Sequence, residues 1–218
     1  MITAIACVFE RDGISYIGMD NDLLFDIRAD KRFFRNYIKN SVLICGYNTY
    51  KTLPKSIIES HVVLVLTKSH YNEFEDIDKD HFWKFQSDRP KVLAYKDIED
   101  IVDLSNFYGH KRFVVIGGGE IYELFDPYIK TWHLTIIYES KYTMEELVLN
   151  NAVKIPPILH RTSYKCISYM LNNQIEYDNK TEDNVEINIF TFYPLKLDPM
   201  DIYFEQERVR NIINDYVR

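Results

Sequence analysis

The chain has 218 residues, of which 46% are hydrophobic and 27% charged, with a formal net charge of −7. That length suits one large domain, or one domain with an appendage, and the apolar share is enough for a buried core. The acidic balance speaks against a nucleic-acid groove. Three scattered cysteines, Cys7, Cys45 and Cys166, read as reduced thiols of a cytoplasmic protein and not as a disulfide framework. With no CxxC, HExxH or Cys/His cluster, no metal is expected.

The first apolar run, in "MITAIACVFERDG", reaches charge after nine residues, too short for a signal segment or a membrane span. Strands are expected at 2–9, 42–46, 62–67, 92–95, 112–116, 131–138, 164–171 and 185–192, where short β-branched runs end at turn residues. Helical periodicity fills 27–39, 47–53, 97–104 and 119–124. Strands alternating with helices predict βαβ units and a mostly parallel α/β sheet. The alternation stops after Thr131, and the last two strands flank "NNQIEYDNKTEDN", which predicts an antiparallel hairpin with a long loop. Residues 1–194 form the main domain, with 70–90 as a surface insertion. Residues 195–218 are an extension whose part from 198 on is an amphipathic helix. Its apolar face is Ile202, Gln206, Val209, Ile213 and Tyr216, Gln206 being the one polar member. The helix is expected to dock on its own sheet, with a subunit contact as the alternative, and its removal to leave catalysis largely intact.

Three strand ends carry phosphate-compatible chemistry. "RFVVIGGGEIYELF" runs from a strand through Gly117, Gly118 and Gly119 into a helix. Glycines let backbone N–H groups approach an anion closely, although Tyr122 stands where GxGxxG needs its third glycine. A flexible turn is the competing reading. "VLICGYNTY" ends at Gly46 and places Asn48 and Thr49 on a short helix, as phosphate donors or as plain caps. "VLVLTKSH" supplies Thr67, Lys68 and Ser69, suited to a phosphate monoester or to solvent. In a parallel sheet such ends share one edge, where ligands bind.

The stretch "NDLLFDIRADKRFFRNYI" places Asp30 on the same helical face as Phe33, Phe34, Tyr37 and Ile38. Asp26 is the better N-cap, which leaves Asp30 one turn in, facing apolar side chains. A buried carboxylate without a partner is costly and tends to take up a proton. Such an acid has a protein partner or receives one from a ligand.

Together "IGMDNDLLFDIRADKRFF", "VLICGYNTYKTLP", "VVLVLTKS", "FVVIGGGEIYELF" and "WHLTII" resemble the dihydrofolate reductase family, in order and spacing, over about residues 1–194. The resemblance implies a central eight-stranded, mostly parallel sheet with a C-terminal antiparallel hairpin and flanking helices. It implies NADPH along the strand ends and a pterin against it. Asp30 matches the pocket acid that bonds the pterin and favours protonation at N5, Thr135 matches the threonine supporting it, and Phe25 matches an aromatic wall. Ile5, Ala6, Cys7, Leu23, Phe34, Leu53, Ile116 and Tyr122 match substrate-pocket positions, with His61 and Arg35 placed for the folate tail. Ala6, Ile17, Gly46, Tyr47, Asn48, Thr49, Thr67, Lys68, Ser69, Ile116, Gly117, Gly118, Gly119, Glu120 and Ile121 match the cofactor's surroundings. The partner implied is dihydrofolate, with neither nucleic acid nor membrane, in a monomer or homodimer. "ERDGISYIGMDND" matches the family's mobile lid loop.

Four positions depart from the family pattern. Leu24 and Phe25 replace a Pro-Trp pair, and Arg28 replaces a proline. Tyr47 replaces a basic cofactor contact. His61, or Ser60 under another placement of a one-residue insertion, replaces the arginine that grips the folate glutamate. Arg32, Arg35 and Lys55 are the substitutes at hand. Alternative readings are a reductase of the same fold for another pterin- or pyrimidine-like ring, and a non-catalytic member of the fold.

Overall fold

The computed structural model describes residues 1–20, 22–74, 83 and 91–214, and of 167–174 the backbone only. The expected insertion past Phe74, apart from Trp83, and Tyr216 of the expected helix face lie outside the described residues. In chain order the strands are β1 (Ile2–Arg11), β2 (Ile14–Met19), β3 (Asp22–Leu23), β4 (Ser41–Gly46), β5 (Val62–Leu66), β6 (Lys91–Tyr95), β7 (Arg112–Val115), β8 (Thr131–Ile137), β9 (Val153–Lys154), β10 (Tyr164–Asp178) and β11 (Asp183–Pro194). The helices are α1 (Arg28–Tyr37), α2 (Tyr47–Thr52), α3 (Lys55–Ile58), α4 (Ile98–Phe107), α5 (Gly119–Phe125), α6 (Met144–Leu149) and α7 (Pro199–Asn214). All eight expected strands form. The chain divides into two compact units: Met1–Thr3 with Asn40–Ile129, and Ala4–Lys39 with Lys130–Arg218.

In the first unit the strand order is β7, β4, β5, β6, all parallel. These strands read as unbroken apolar runs because both faces are covered. Residues 42–45, 62–65 and 113–115 are buried throughout. Trp83 packs on Tyr108 and Phe113 and donates its indole N–H to the Tyr95 hydroxyl (3.1 Å).

In the second unit the order is β10, β11, β8, β1, with β11 antiparallel to both β8 and β10. The expected lid loop is mostly strand. β1 turns through Asp12 (φ 51°) and Gly13 (φ 80°) into β2, which pairs with β1, β3 and β9. Asp-Gly with both residues at positive φ favours a tight hairpin, so the signal was in the sequence. The expected long loop of the last hairpin is likewise strand, leaving only 179–182 as the turn. Asp178 organises that turn: its fully buried carboxylate accepts from Thr181 N (2.9 Å), Thr181 Oγ1 (2.6 Å) and Asp26 N (2.6 Å). A buried carboxylate needs several donors, and the turn backbone supplies them.

Helix α6 carries a complete capping box, with Thr143 accepting from Glu146 N and Glu146 from Thr143 N. Helix α7 packs on α1 and β10, within the second unit. Its buried face is Glu205, Val209, Ile212 and Ile213, a rotation away from the expected face. The expectation avoided placing an acid inward; the fold puts Glu205 there because Tyr37 and His133 receive it.

Candidate functional site

The acid of the second unit is positioned by the hairpin turn. Asp178 holds Asp26 N, and Asp26 O accepts from Asn179 N (3.2 Å) and Asn179 Nδ2 (3.1 Å). These bonds fix the chain entering α1. The N-cap is Ile27, without a side-chain cap, and Asp26 pairs instead with Lys31. Asp30 therefore sits in the first turn of α1, one residue nearer the helix start than expected. On the same helix Ala29, Phe33 and Tyr37 face the core.

Asp30 retains partial access while being enclosed by protein. Loss of solvation pushes its carboxyl up from 3.8 to about 6, opposed by the Thr135 hydroxyl and the Lys31 charge. Thr135 Oγ1 is buried without a well-formed hydrogen bond, and its interaction with the acid lowers the Asp30 pKa. The Cys7 thiol is pushed well up by burial and by the nearby charges of Asp30 and Asp178, which places it beside the acid and makes it inert. An acid that titrates near neutrality inside apolar walls is suited to sharing a proton with a nitrogen heterocycle.

Of the other expected residues in this unit, Ile5, Ala6 and Phe25 are buried, Phe34, Cys7 and Ile17 partly so, and Leu23 is exposed. Phe25 meets Phe9 (6.0 Å between ring centroids) and Tyr142 (5.7 Å) edge-on, and Tyr142 donates to Leu24 O (2.9 Å). Its visible role is packing. Arg28, Arg32, Arg35 and Asn36 line a cavity of about 560 Å³. Their spacing forms one stripe of α1, turned away from the stripe of Asp30 and Phe34.

The first unit holds the glycine turn. Ile116 N–H donates to Ile44 O (2.9 Å) and Gly46 N–H to Gly117 O (2.9 Å), so β7 continues past its end along β4. The peptide between Gly117 and Gly118 is cis, and Gly117 has φ +119°, a value side chains rarely adopt. A Cβ on Gly117 or Gly118 would stand 3.6 Å or 3.5 Å from Thr49 Oγ1, and one on Gly46 3.0 Å from Ile121 Cγ1. Backbone, the Thr49 hydroxyl and Tyr122 thus form one surface. Gly119, Ile121 and Tyr122 are buried on α5, Glu120 is exposed, and Leu53 caps the C-terminus of α2. At the end of β5, Thr67 is buried while Lys68 and Ser69 are exposed. Asn48 is exposed on α2. His61 Nδ1 lies 3.0 Å from Ile57 O and 2.8 Å from Ser60 Oγ, held against the end of α3.

Sequence reasoning missed Asp178, Glu205 and Glu73. Each is an acid whose partners are far in sequence or follow an unexpected turn.

The first unit is a parallel layer whose strand ends carry a glycine turn, and the second bears a desolvated acid, in an α/β protein. Residues 1–149 match the family described as Dihydrofolate reductase, and the chain belongs to that family. It is 21% identical to the Dihydrofolate reductase of Lactococcus lactis subsp. lactis over 133 residues, covering 61% of this chain and 71% of that protein. It is 22% identical to the Dihydrofolate reductase of Bacillus subtilis over 136 residues, covering 62% and 70%. A match of 27% identity over 125 residues, 57% of this chain, falls in 21% of the Segregation and condensation protein A of Mycoplasma pneumoniae. Among the described residues no helix is long and apolar enough to cross a membrane.

Proposed function

We propose that this chain is a cytoplasmic, NADPH-dependent dihydrofolate reductase of one-carbon metabolism, reducing 7,8-dihydrofolate at C6 with protonation at N5. The observation that carries this reading is Asp30: a desolvated acid near pKa 6 beside a buried threonine hydroxyl that lacks a full protein partner. A pterin edge offers a matching pair of N–H donors to the carboxylate, and Thr135 is placed to complete the contact. Ionised Asp30 then favours the protonated ring, which raises the electrophilicity of the carbon that accepts hydride. On the second unit Ile5, Ala6, Cys7, Leu23 and Phe34, with Phe25, are proposed substrate-binding residues; on the first, Leu53, Ile116 and Tyr122 are proposed. His61 and Arg35 are proposed for the folate tail.

The glycine surface fits a nicotinamide dinucleotide. Gly117 exposes backbone at a φ that side chains rarely adopt, a Cβ on Gly46 would crowd Ile121, Gly118 carries no side chain beside Thr49, and Thr49 adds a hydroxyl. Thr67, Lys68 and Ser69 offer hydroxyl and ammonium donors. Gly119, Glu120, Ile121, Ile116, Asn48, Tyr47, Ala6 and Ile17 are the proposed remaining surroundings. When bound, the cofactor supplies the hydride; the chain's residues hold, orient and protonate.

The test is purified protein with NADPH and dihydrofolate, followed by NADPH absorbance, beside Asp30→Asn. Turnover that falls about 10²–10⁴-fold in the variant is expected, the range for loss of a positioned proton donor. No binding of either ligand would refute the enzyme reading. NADPH binding without dihydrofolate turnover would favour the same-fold reductase for another ring, a reading motivated by His61 standing where a bidentate arginine would grip the tail.

A further inference from the structure

Beside the proposed cofactor residues of the first unit, the described residues hold an acid and an imidazole, Glu73 and His70, that the proposed function leaves unassigned. Tyr47 opens α2, directly after β4, and its ring lies flat on His70 (3.8 Å between centroids, 5° between planes). Both residues bind one carboxylate: the Tyr47 hydroxyl donates to Glu73 Oε2 (2.5 Å), and His70 Nδ1 lies 2.6 Å from Glu73 Oε1. Phe74 closes the platform edge-on to Tyr47 (6.3 Å). His70 is tied to the end of β5 through its N–H, which donates to Thr67 Oγ1 (3.2 Å). The acid, the stacked rings and the Thr67, Lys68, Ser69 group are therefore one local structure. The hydrogen bonds from Tyr47 and His70 hold the Glu73 carboxyl below its usual range, so it stays ionised.

Its place relative to the glycine turn matters. The strand order is β7, β4, β5, so a dinucleotide anchored at Gly117 and Thr49 and running outward reaches the end of β5 next. Adjacent strands are about 4.8 Å apart, so that end lies roughly 10 Å from the β7 turn, within the reach of an adenosine ribose. At this ribose, dinucleotide sites discriminate by charge. An acid accepts from a free 2′-hydroxyl, whereas a cation is needed to favour a 2′-phosphate. Here the side chain opening α2 is not a cation. It is a phenol committed to an acid, and a phosphate dianion arriving beside Lys68 also meets the Glu73 carboxylate.

We propose that the Tyr47, His70 and Glu73 cluster sets cofactor selectivity, removing most of the preference for a 2′-phosphate so that the chain binds NADH and NADPH with comparable affinity. This rests on the dinucleotide reading of the glycine turn. The cluster acts on binding only; hydride transfer is the same from either cofactor.

The experiment is titration of the full chain with NADPH and with NADH at low salt, by calorimetry or tryptophan fluorescence. The two Kd values are expected to lie within about tenfold of each other. Opposing a carboxylate to a dianion at about 5 Å in a water-like medium is a roughly tenfold effect. Glu73→Gln, which keeps an acceptor for Tyr47, should tighten NADPH about three- to tenfold and leave NADH within twofold. Tyr47→Arg should act in the same direction, and Lys68→Ala should weaken NADPH alone. NADPH binding more than about tenfold tighter than NADH in the unaltered chain overturns the inference while leaving the reductase reading intact, as does a Glu73→Gln effect equal for both. A folded chain that binds neither nucleotide refutes both.

Discussion

Two carboxylates of the second unit lie on the α1 layer and have opposite surroundings. Glu205, from α7, is buried; Tyr37 donates to its Oε1 (2.5 Å), and His133 Nε2 approaches to 2.9 Å. The His133 contact is close but falls short of an aligned hydrogen bond. His133 Nδ1 in turn meets Thr191 Oγ1 (2.9 Å), its ring packs on Tyr37 (4.4 Å), and the Arg208 guanidinium also lies over the Tyr37 ring. Asp30, about two turns before Tyr37 on α1, faces Thr135, two residues from His133 on the same side of β8. It has one hydroxyl nearby and a raised pKa. The acid with protein partners holds the fold together. The acid short of protein partners carries a cost to stability, and we propose that its partner is the ligand.

The comparison can be broken first at Glu205. Glu205→Ala, or removal of 198–218, should cost about 3 kcal/mol in chemical denaturation, because His133 and Tyr37 are left buried without their acceptor. The expectation that the helix is dispensable therefore holds only for chemistry in whatever protein stays folded. A loss below about 1 kcal/mol would show that the cluster is not the helix's anchor.

Asp30→Asn should move stability the other way. The folded carboxyl titrates near 6 and the unfolded one near 3.8, so the folded state binds the proton more tightly. Its ionised form thus costs stability above pH 6, a cost that disappears as pH falls below about 4. The variant should gain on the order of 2 kcal/mol at pH 7.5, allowing for partial exposure, and nothing at pH 4. Equal gains at both pH values would contradict the raised pKa.

Thr135→Val is the smallest change. Thr135 lowers the Asp30 pKa, so its loss should raise it further. The reaction needs one proton beyond those of neutral substrate and ionised Asp30. The rate should therefore fall as pH rises through the acid's pKa near 6 in the parent, and the fall should begin less than about one pH unit higher in the variant. A profile that is unmoved, or moved downward, would remove Thr135 from the proton's surroundings.

Legibility differed by element. The parallel strands of the first unit announced themselves, since burial on both faces demands unbroken apolar runs such as "VVLVL". The acid stood out because Asp30 interrupted an otherwise apolar helical face. The β1–β2 turn and α6 were written in local code, Asp12-Gly13 and the Thr143 to Glu146 box, and should have been read. Glu205 and Asp178 were not readable, because an acid's burial is permitted by donors 168 and 152 residues away, Tyr37 and Asp26.

Sequence alone determined the order of the eight main strands and the helices expected between them, the glycine turn after β7 and the oddity of Asp30, because periodicity and backbone freedom are local properties. Tertiary structure decided which acids are satisfied. Glu205 became an anchor, Asp178 a clamp on the entry to α1, and Glu73 the partner of Tyr47 and His70. Asp30 was left with a single hydroxyl. Whether a carboxylate is structural or functional depends on the donors that folding brings to it, and only the assembled fold sets that.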